Sequence, residues 1–404
     1  MARGARWEPA ARLPYRMEPP AGALQIDTPG AARDSRRLVL RYLIAAALAS
    51  LSTSSAAQIP APAPQTAAPA PKTSEVFFAQ DESTFRRASD NPDRVRAMVQ
   101  ALVFSVTGQT DWAKAWRTLV APTDRVGIKI STVGGRGFST HPAIVATIVS
   151  GLEAAGVPRG RIVVWDRNSE DLRAAGFLPR TGRYDGLGDR LNVRAIDPPR
   201  GFDREAEIVG TVVGKLMWGD LIFVEKQRVK IGQAKNEGDQ LSSSSYLARI
   251  VSRDVTKIIN VPVLSDERGC GVAGAIYNMT IPNVDNWRRY TQTEGAFASS
   301  PAEIFADERI APKCVLHIMD GLLAQYAGGP GFSPGYTFQH ETIYASKDPV
   351  ALDTIALGRI EEWRAQAKLP SIAGRSAWLK DAASLGLGNA AAERIVLQPV
   401  ALPR

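Results

Sequence analysis

The chain has 404 residues, a formal net charge of +8, 45% apolar side chains, two cysteines and three histidines. Two thiols cannot supply the four ligands of an iron–sulfur cluster or an all-cysteine zinc site, so no iron–sulfur cluster is expected. No Lys- or Arg-dense run with interleaved aromatics marks a nucleic-acid footprint. Half of the charge sits in the first segment. There Arg3, Arg6, Arg12, Arg16, Arg33, Arg36, Arg37 and Arg41 stand against Glu8, Glu18, Asp27 and Asp34, a surplus of +4 that leaves +4 for the rest. So mild an excess favours anionic ligands only weakly.

Ser35-Arg36-Arg37 precedes the apolar run Tyr42 to Leu51, and Ser54-Ser55-Ala56-Ala57 offers small residues for cleavage. A charged start, a short apolar core and a small-residue exit describe an export signal over residues 1–57, and the arginine pair points to the twin-arginine translocation machinery. The expected location is therefore periplasmic or secreted. The apolar run falls short of the ~20 residues a helix needs to cross a bilayer, so no stable transmembrane span is expected. The long first segment fits either an extended charged region or a start at Met17. Residues 58–74 are almost all Pro, Ala and small polar residues, a composition that makes a tether rather than a core. The remaining 75–404 are long enough for a single α/β domain with a substantial core.

In that domain Arg94–Leu102 and Trp112–Leu119 carry apolar residues at near-helical spacing. Val126–Ser131 then alternates like a strand, and Gly134-Gly135-Arg136-Gly137 leads into Ser139-Thr140-His141-Pro142. Ser or Thr as cap with Pro in the first turn predicts a helix over Pro142–Ala155, ended by Gly156. Arg161–Trp165 is the next strand, with Asp166 at its end. A strand–helix–strand unit of this kind builds a parallel sheet. Further strands are expected at Leu191–Ile196, Leu221–Val224, Lys257–Val263, Val315–Met319 and Ile343–Ser346. Asp348 and Pro349 should open a last long helix reaching about Gln366. Ser242–Ser245 reads as a polar loop and Ala327–Gly335 as a Gly/Pro flap over a site. The fold class is α/β, a mixed and largely parallel sheet flanked by helices.

Ligands of open parallel sheets bind beyond the carboxyl ends of the strands. Ser131, Arg136, Ser139, Thr140 and His141 fall at one such end and Asp166 at the next. A glycine-rich turn opening onto a capped helix exposes unpaired N–H groups that suit phosphate or carboxylate; the plainer reading is a tight turn with a cap. The turn is neither a Walker loop nor a dinucleotide fingerprint, since Gly-Lys-Ser/Thr is missing and Thr140 stands where a third glycine belongs. His141, His317 and His340 are the only imidazoles. His317 reads as a core residue inside a strand, and His340-Glu341 as an exposed pair. His141, at a helix start, should have a lowered pKa and serve as general base or metal ligand. Asp166, Asp320, Asp348 and Asp353 could give hard oxygen ligands to a metal ion, or act merely as caps and turns. Cys270 and Cys314 form either a disulfide or two separate buried thiols.

Several blocks, taken together, resemble one family. They are Lys129 with Ser139-Thr140-His141-Pro142, Ile162 to Arg167, Ile258 to Leu264, Gly271 to Asn278, Asp320-Gly321, and Ala345-Ser346-Lys347-Asp348-Pro349-Val350-Ala351-Leu352-Asp353. In order and spacing they are similar to the domain of unknown function 362 family, over about Arg125 to Arg364. The resemblance implies no assigned activity. Some relatives carry ferredoxin-like cysteine motifs, which this chain lacks, and many have Lys where this chain has Tyr277. The site itself is expected from the strand ends that carry these residues. Lys129 or His141 would assist proton transfer, Ser139 and Thr140 would hold an anion, and Asn260 and Asn278 would touch the substrate. Asp166, Asp320, Asp348 and Asp353 would position a metal or substrate. The expectation is an enzyme or cofactor-dependent protein acting on a small anionic substrate. The alternatives are a non-catalytic ligand- or metal-binding protein and a structural partner on a tether.

Overall fold

Val126, Ile128 and Ile130 alternate with Gly127 and Lys129, yet all of them are buried, so this strand has protein on both faces. The computed structural model describes residues 73–86, 89–178, 192–196, 201–208, 245–291 and 299–402. The export signal, nearly all of the tether, and the strand expected at Leu221–Val224 lie outside the described residues, as does the loop expected at Ser242–Ser245 up to its last residue.

The strands are β1 (Ser74–Gln80), β2 (Phe85–Arg86), β3 (Ser89–Asp90), β4 (Val126–Ile130), β5 (Ile162–Asp166), β6 (Asn192–Ala195), β7 (Phe202–Glu207), β8 (Tyr246–Ala248), β9 (Lys257–Val261), β10 (Val263–Glu267), β11 (Gly271–Val272), β12 (Cys314–Gln325), β13 (Thr337–Ser346) and β14 (Ile395–Pro399). The helices are α1 (Pro92–Thr107), α2 (Trp112–Arg117), α3 (Pro142–Ala154), α4 (Ser169–Ala174), α5 (Ala275–Thr280), α6 (Arg288–Thr291), α7 (Ser300–Phe305), α8 (Pro349–Gln366) and α9 (Trp378–Ser384). The main sheet runs β14-β1-β13-β12-β9-β4-β5-β6, with β10 attached to β12 and β11 to β10. From β12 through β9, β4 and β5 to β6 every pairing is parallel; β13 runs antiparallel to both β12 and β1. This is a mixed, mostly parallel α/β fold.

Strand alternation sorts the core into two layers. Ile128, Val164, Ile259 and Ile318 meet α1, α2 and α3 on one face, while Trp165, Ile258, Met319 and Tyr344 meet α5, α7, α8 and α9 on the other. Local signals place the helices well. Pro92 opens α1 and Gly108, at φ 66°, closes it in the left-handed conformation. Asp348 caps α8 by accepting from the Ala351 N–H.

Three expectations need correction. The strand expected over Lys257–Val263 breaks at Pro262, which has no N–H to donate, so β9 ends and β10 begins around it. Residue His141 holds the N-cap position of α3 instead of Ser139 or Thr140, and its side chain makes no cap bond. His340 and Glu341 are half-buried inside β13, because that strand starts at Thr337 and pairs with the long β12. Among the described residues, no helix is long and apolar enough to cross a membrane.

Candidate functional site

Register brings polar residues from distant parts of the chain into one row. Lys129 pairs with Asn260, and Asn260 with His317, so all three side chains point to the same sheet face. Asn278 comes down onto them from α5. Lys129 Nζ donates to Asp166 Oδ1 at 2.7 Å, to the Ile130 carbonyl at 2.6 Å and to Asn278 Oδ1 at 3.0 Å. Asn278 Nδ2 donates to Asn260 Oδ1 at 2.8 Å, and Asn260 Nδ2 to the Ala275 carbonyl at 2.7 Å and to His317 Nδ1 at 3.0 Å. Each member donates to the next, from Lys129 to His317, which polarises the chain cooperatively. Burial pushes the Lys129 pKa down and Arg167 adds to that, while the Asp166 carboxylate pulls it back. The three acceptors around Nζ call for the ammonium form. His317 is neutral, its pKa pushed to about 3 by burial, as its reading as a core residue requires.

Asp166 gathers the strand ends. Besides Lys129, its Oδ1 accepts from the Arg167 N–H, and its Oδ2 accepts from both the N–H and the hydroxyl of Thr132 at 2.7 Å. Four donors fill the four lone-pair sites of a carboxylate. The glycine-rich loop that follows Thr132 is closed at its base, where Thr140 N–H meets the Ser131 carbonyl and Ser131 N–H meets Thr140 Oγ1, both at 2.9 Å. Thr140 Oγ1 donates in turn to the Val261 carbonyl, and Ser139 Oγ to the Gly135 carbonyl. Both hydroxyls thus hold loop and strands together.

The start of α3 has an anion of its own. Asp320 Oδ2 accepts from the His141 N–H at 2.7 Å and meets His141 Nδ1 at 2.8 Å, while Asp320 Oδ1 accepts from Leu322 N–H. A side-chain carboxylate therefore stands where an external anion was expected. The pair also reverses the expectation for His141. Burial disfavours its charged form, but the Asp320 carboxylate, helped by the charge of Asp90, outweighs burial and raises the pKa above the usual imidazole value. The ring meets Phe85 edge-on. Its side chain is 15% exposed, and Nε2 makes no hydrogen bond among the described residues.

The other two aspartates sit elsewhere. Asp348 accepts from Ser74 Oγ, Asn389 N–H and Ala351 N–H beside a cleft of about 270 Å³ lined by Ser74, Lys347 and Gly388. Asp353 is fully buried and accepts from Ala275 N–H at 2.5 Å and Ile276 N–H at 2.9 Å at the start of α5. The approach is close enough that a Cβ at Gly274 would lie 2.0 Å from Asp353 Oδ1. Burial raises the Asp353 pKa to about 7. The four aspartates are thus not gathered into a ligand set, and among the described residues no group of three or more His, Cys, Asp or Glu could hold a metal ion. Cys270 and Cys314 are free thiols. Of the candidates, Lys129, Asp166, Asn260 and Asn278 form one network, and His141 and Asp320 a second. Sequence reasoning did not single out Thr132 and Arg167, whose partners are fixed only by the fold.

No curated protein matches the chain. A crystal structure of a protein from Thermotoga maritima is 10% identical over 72% of this chain and 60% of its own, with a TM-score of 0.32. The profile of the domain of unknown function (DUF362) matches residues 126–358, which span β4 to α8 and every candidate site residue. The chain belongs to the DUF362 family.

Proposed function

We propose that this is an exported protein whose site takes a small anionic ligand at His141. One observation carries the reading. Asp320 grips the backbone N–H and Nδ1 of His141 and leaves Nε2 as the ring nitrogen without a partner among the described residues. A raised pKa keeps a proton on that nitrogen to higher pH than in a free histidine, so it donates to an anion and can pass the proton on. Asp320 fixes the ring as a carboxylate fixes a catalytic histidine, which supports an acid–base enzyme. The saturated bonding of Lys129, Asp166, Asn260 and Asn278 favours the second reading, a ligand-binding protein without catalysis, because it leaves a single open group for chemistry. The Arg36-Arg37 signal supports export to the periplasm or beyond.

The test is a titration of the histidine ring resonances of the mature protein with inorganic phosphate and acetate. The His141 signal should move saturably while those of His317 and His340 stay. No saturable shift with either anion would overturn the reading. In the exporting cell, replacing Arg36 and Arg37 by Lys should keep the protein inside, and stoichiometric metal in the purified protein would restore a metal-binding role.

A further inference from the structure

The cleft beside Asp348 shares no lining residue with the Lys129 network or with the His141 pair. It encloses about 270 Å³, just under the ~300 Å³ at which sites for drug-sized ligands begin, so it has room for one small molecule. Its polar wall is already bonded. Ser346 Oγ donates to the Glu75 carbonyl at 2.7 Å and accepts from Asp348 N–H at 3.0 Å. Ser74 Oγ, which donates to Asp348, accepts from Asn389 Nδ2 at 2.7 Å. Both serines are buried, and Phe77, Val106 and Leu387 give the cleft an apolar side. Two exposed side chains of opposite charge complete the lining, Glu75 and Lys347. The register that pairs Phe77 with Ala345, continued by two residues, sets Glu75 opposite Lys347 across β1 and β13. Cross-strand partners of opposite charge ordinarily attract one another. These two are not joined. Lys347 makes no side-chain hydrogen bond or ion pair among the described residues, and the Glu75 carboxylate accepts only from Gln398 Nε2, at 2.8 Å.

An open ammonium, an open carboxylate and an apolar side in one cleft match a ligand with both charges at one end and hydrocarbon at the other. We propose that the cleft binds a free α-amino acid with an apolar side chain. The ligand carboxylate meets Lys347 and its ammonium meets Glu75, bridging two charges that the strands oppose but do not join. Its side chain lies against Phe77, Val106 and Leu387. A ligand of one charge would leave either Lys347 or Glu75 unanswered, whereas a zwitterion answers both. The site is separate from the anion site proposed at His141 and does not rest on it.

The experiment is calorimetric titration of the mature protein with leucine, glycine, N-acetyl-leucine and leucine amide. Leucine should bind saturably, and more tightly than glycine by about fourfold for each methylene that the cleft covers. N-acetyl-leucine lacks the ammonium and leucine amide the carboxylate, so each should bind about fivefold more weakly, the size of an exposed ion pair. Lys347→Gln should abolish the preference for leucine over leucine amide, and Glu75→Gln the preference over N-acetyl-leucine. Both side chains are exposed, so the thermal midpoint should stay unchanged. No saturable heat with leucine overturns the inference, as does equal binding of the three leucine compounds. Preferences that survive both substitutions put the amino acid elsewhere and overturn the site.

Discussion

Two pairs of a basic side chain with a carboxylate lie near the ends of the parallel strands, and they differ in how fully they are bonded. Lys129 and Asp166 are 2.7 Å apart and His141 and Asp320 are 2.8 Å apart, so distance does not separate them. Satisfaction does. Every donor of Lys129 and every lone pair of Asp166 is engaged, and the pair ties β4, β5, α5 and the glycine-rich loop together. His141 keeps a nitrogen open at a partly exposed position. The saturated pair is tied wholly into the protein, and the unsaturated pair is the one on which the proposed anion site rests.

Removing one partner from each pair should break the comparison most sharply. Lys129→Met leaves Asp166 as a buried charge without its counter-ion. It should lower stability by about 3–5 kcal/mol in denaturant unfolding. A Lys129→Met protein as stable as the parent would end the structural reading of that pair.

Asp353 gives a smaller, pH-dependent effect. Its pKa is about 7 in the folded chain against 3.8 unfolded, so the folded state holds the proton longer. Its contribution is therefore most favourable in acid, falls as pH climbs from about 4 to about 7, and stays flat above. Asp353→Asn should remove that slope from the difference between parent and variant, measured as unfolding midpoint against pH. His317 and His340 push the other way. Their folded pKa values of about 3 and about 4 lie below the unfolded 6.5, so their contributions are lost as pH falls below that value. The comparison must accordingly be parent against variant.

The finest test is the order in which the histidines titrate. His141 should keep its proton above the ordinary range, with His340 and then His317 protonating only in strong acid. Asp320→Asn should bring His141 down and leave the other two in place. That variant also loses stabilisation that is present below the unfolded pKa of 6.5 and fades as pH rises through the raised folded value. If His141 titrates below His340, the geometry assigned to Asp320 is wrong.

What the sequence made legible was local. First-turn prolines announced α3 and α8, and an alternating run announced β4, because such signals act within a few residues. Register is not local. That Lys129, Asn260 and His317 share a row depends on which strands pair. Each could have been noted as the polar residue at an inward step of its strand, but not as a neighbour of the others. The misread pKa of His141 has the same cause: the helix end is visible in the sequence, while Asp320 lies 179 residues away. The four aspartates expected as one metal set are likewise dispersed, each meeting its own partners across the fold.

The first strand depends on the last ones. Strand β1 lies between β13 and β14, and Ser74 bonds Asp348 and Asn389, which are 274 and 315 residues further on. During synthesis β1 emerges early, with both hydrogen-bonding edges open, and waits for nearly the whole chain before either is covered. Contacts of such long range slow folding, and an uncovered strand edge invites pairing with other chains. The domain therefore cannot close its sheet from the front, and any factor that meets the growing chain meets an unfinished one.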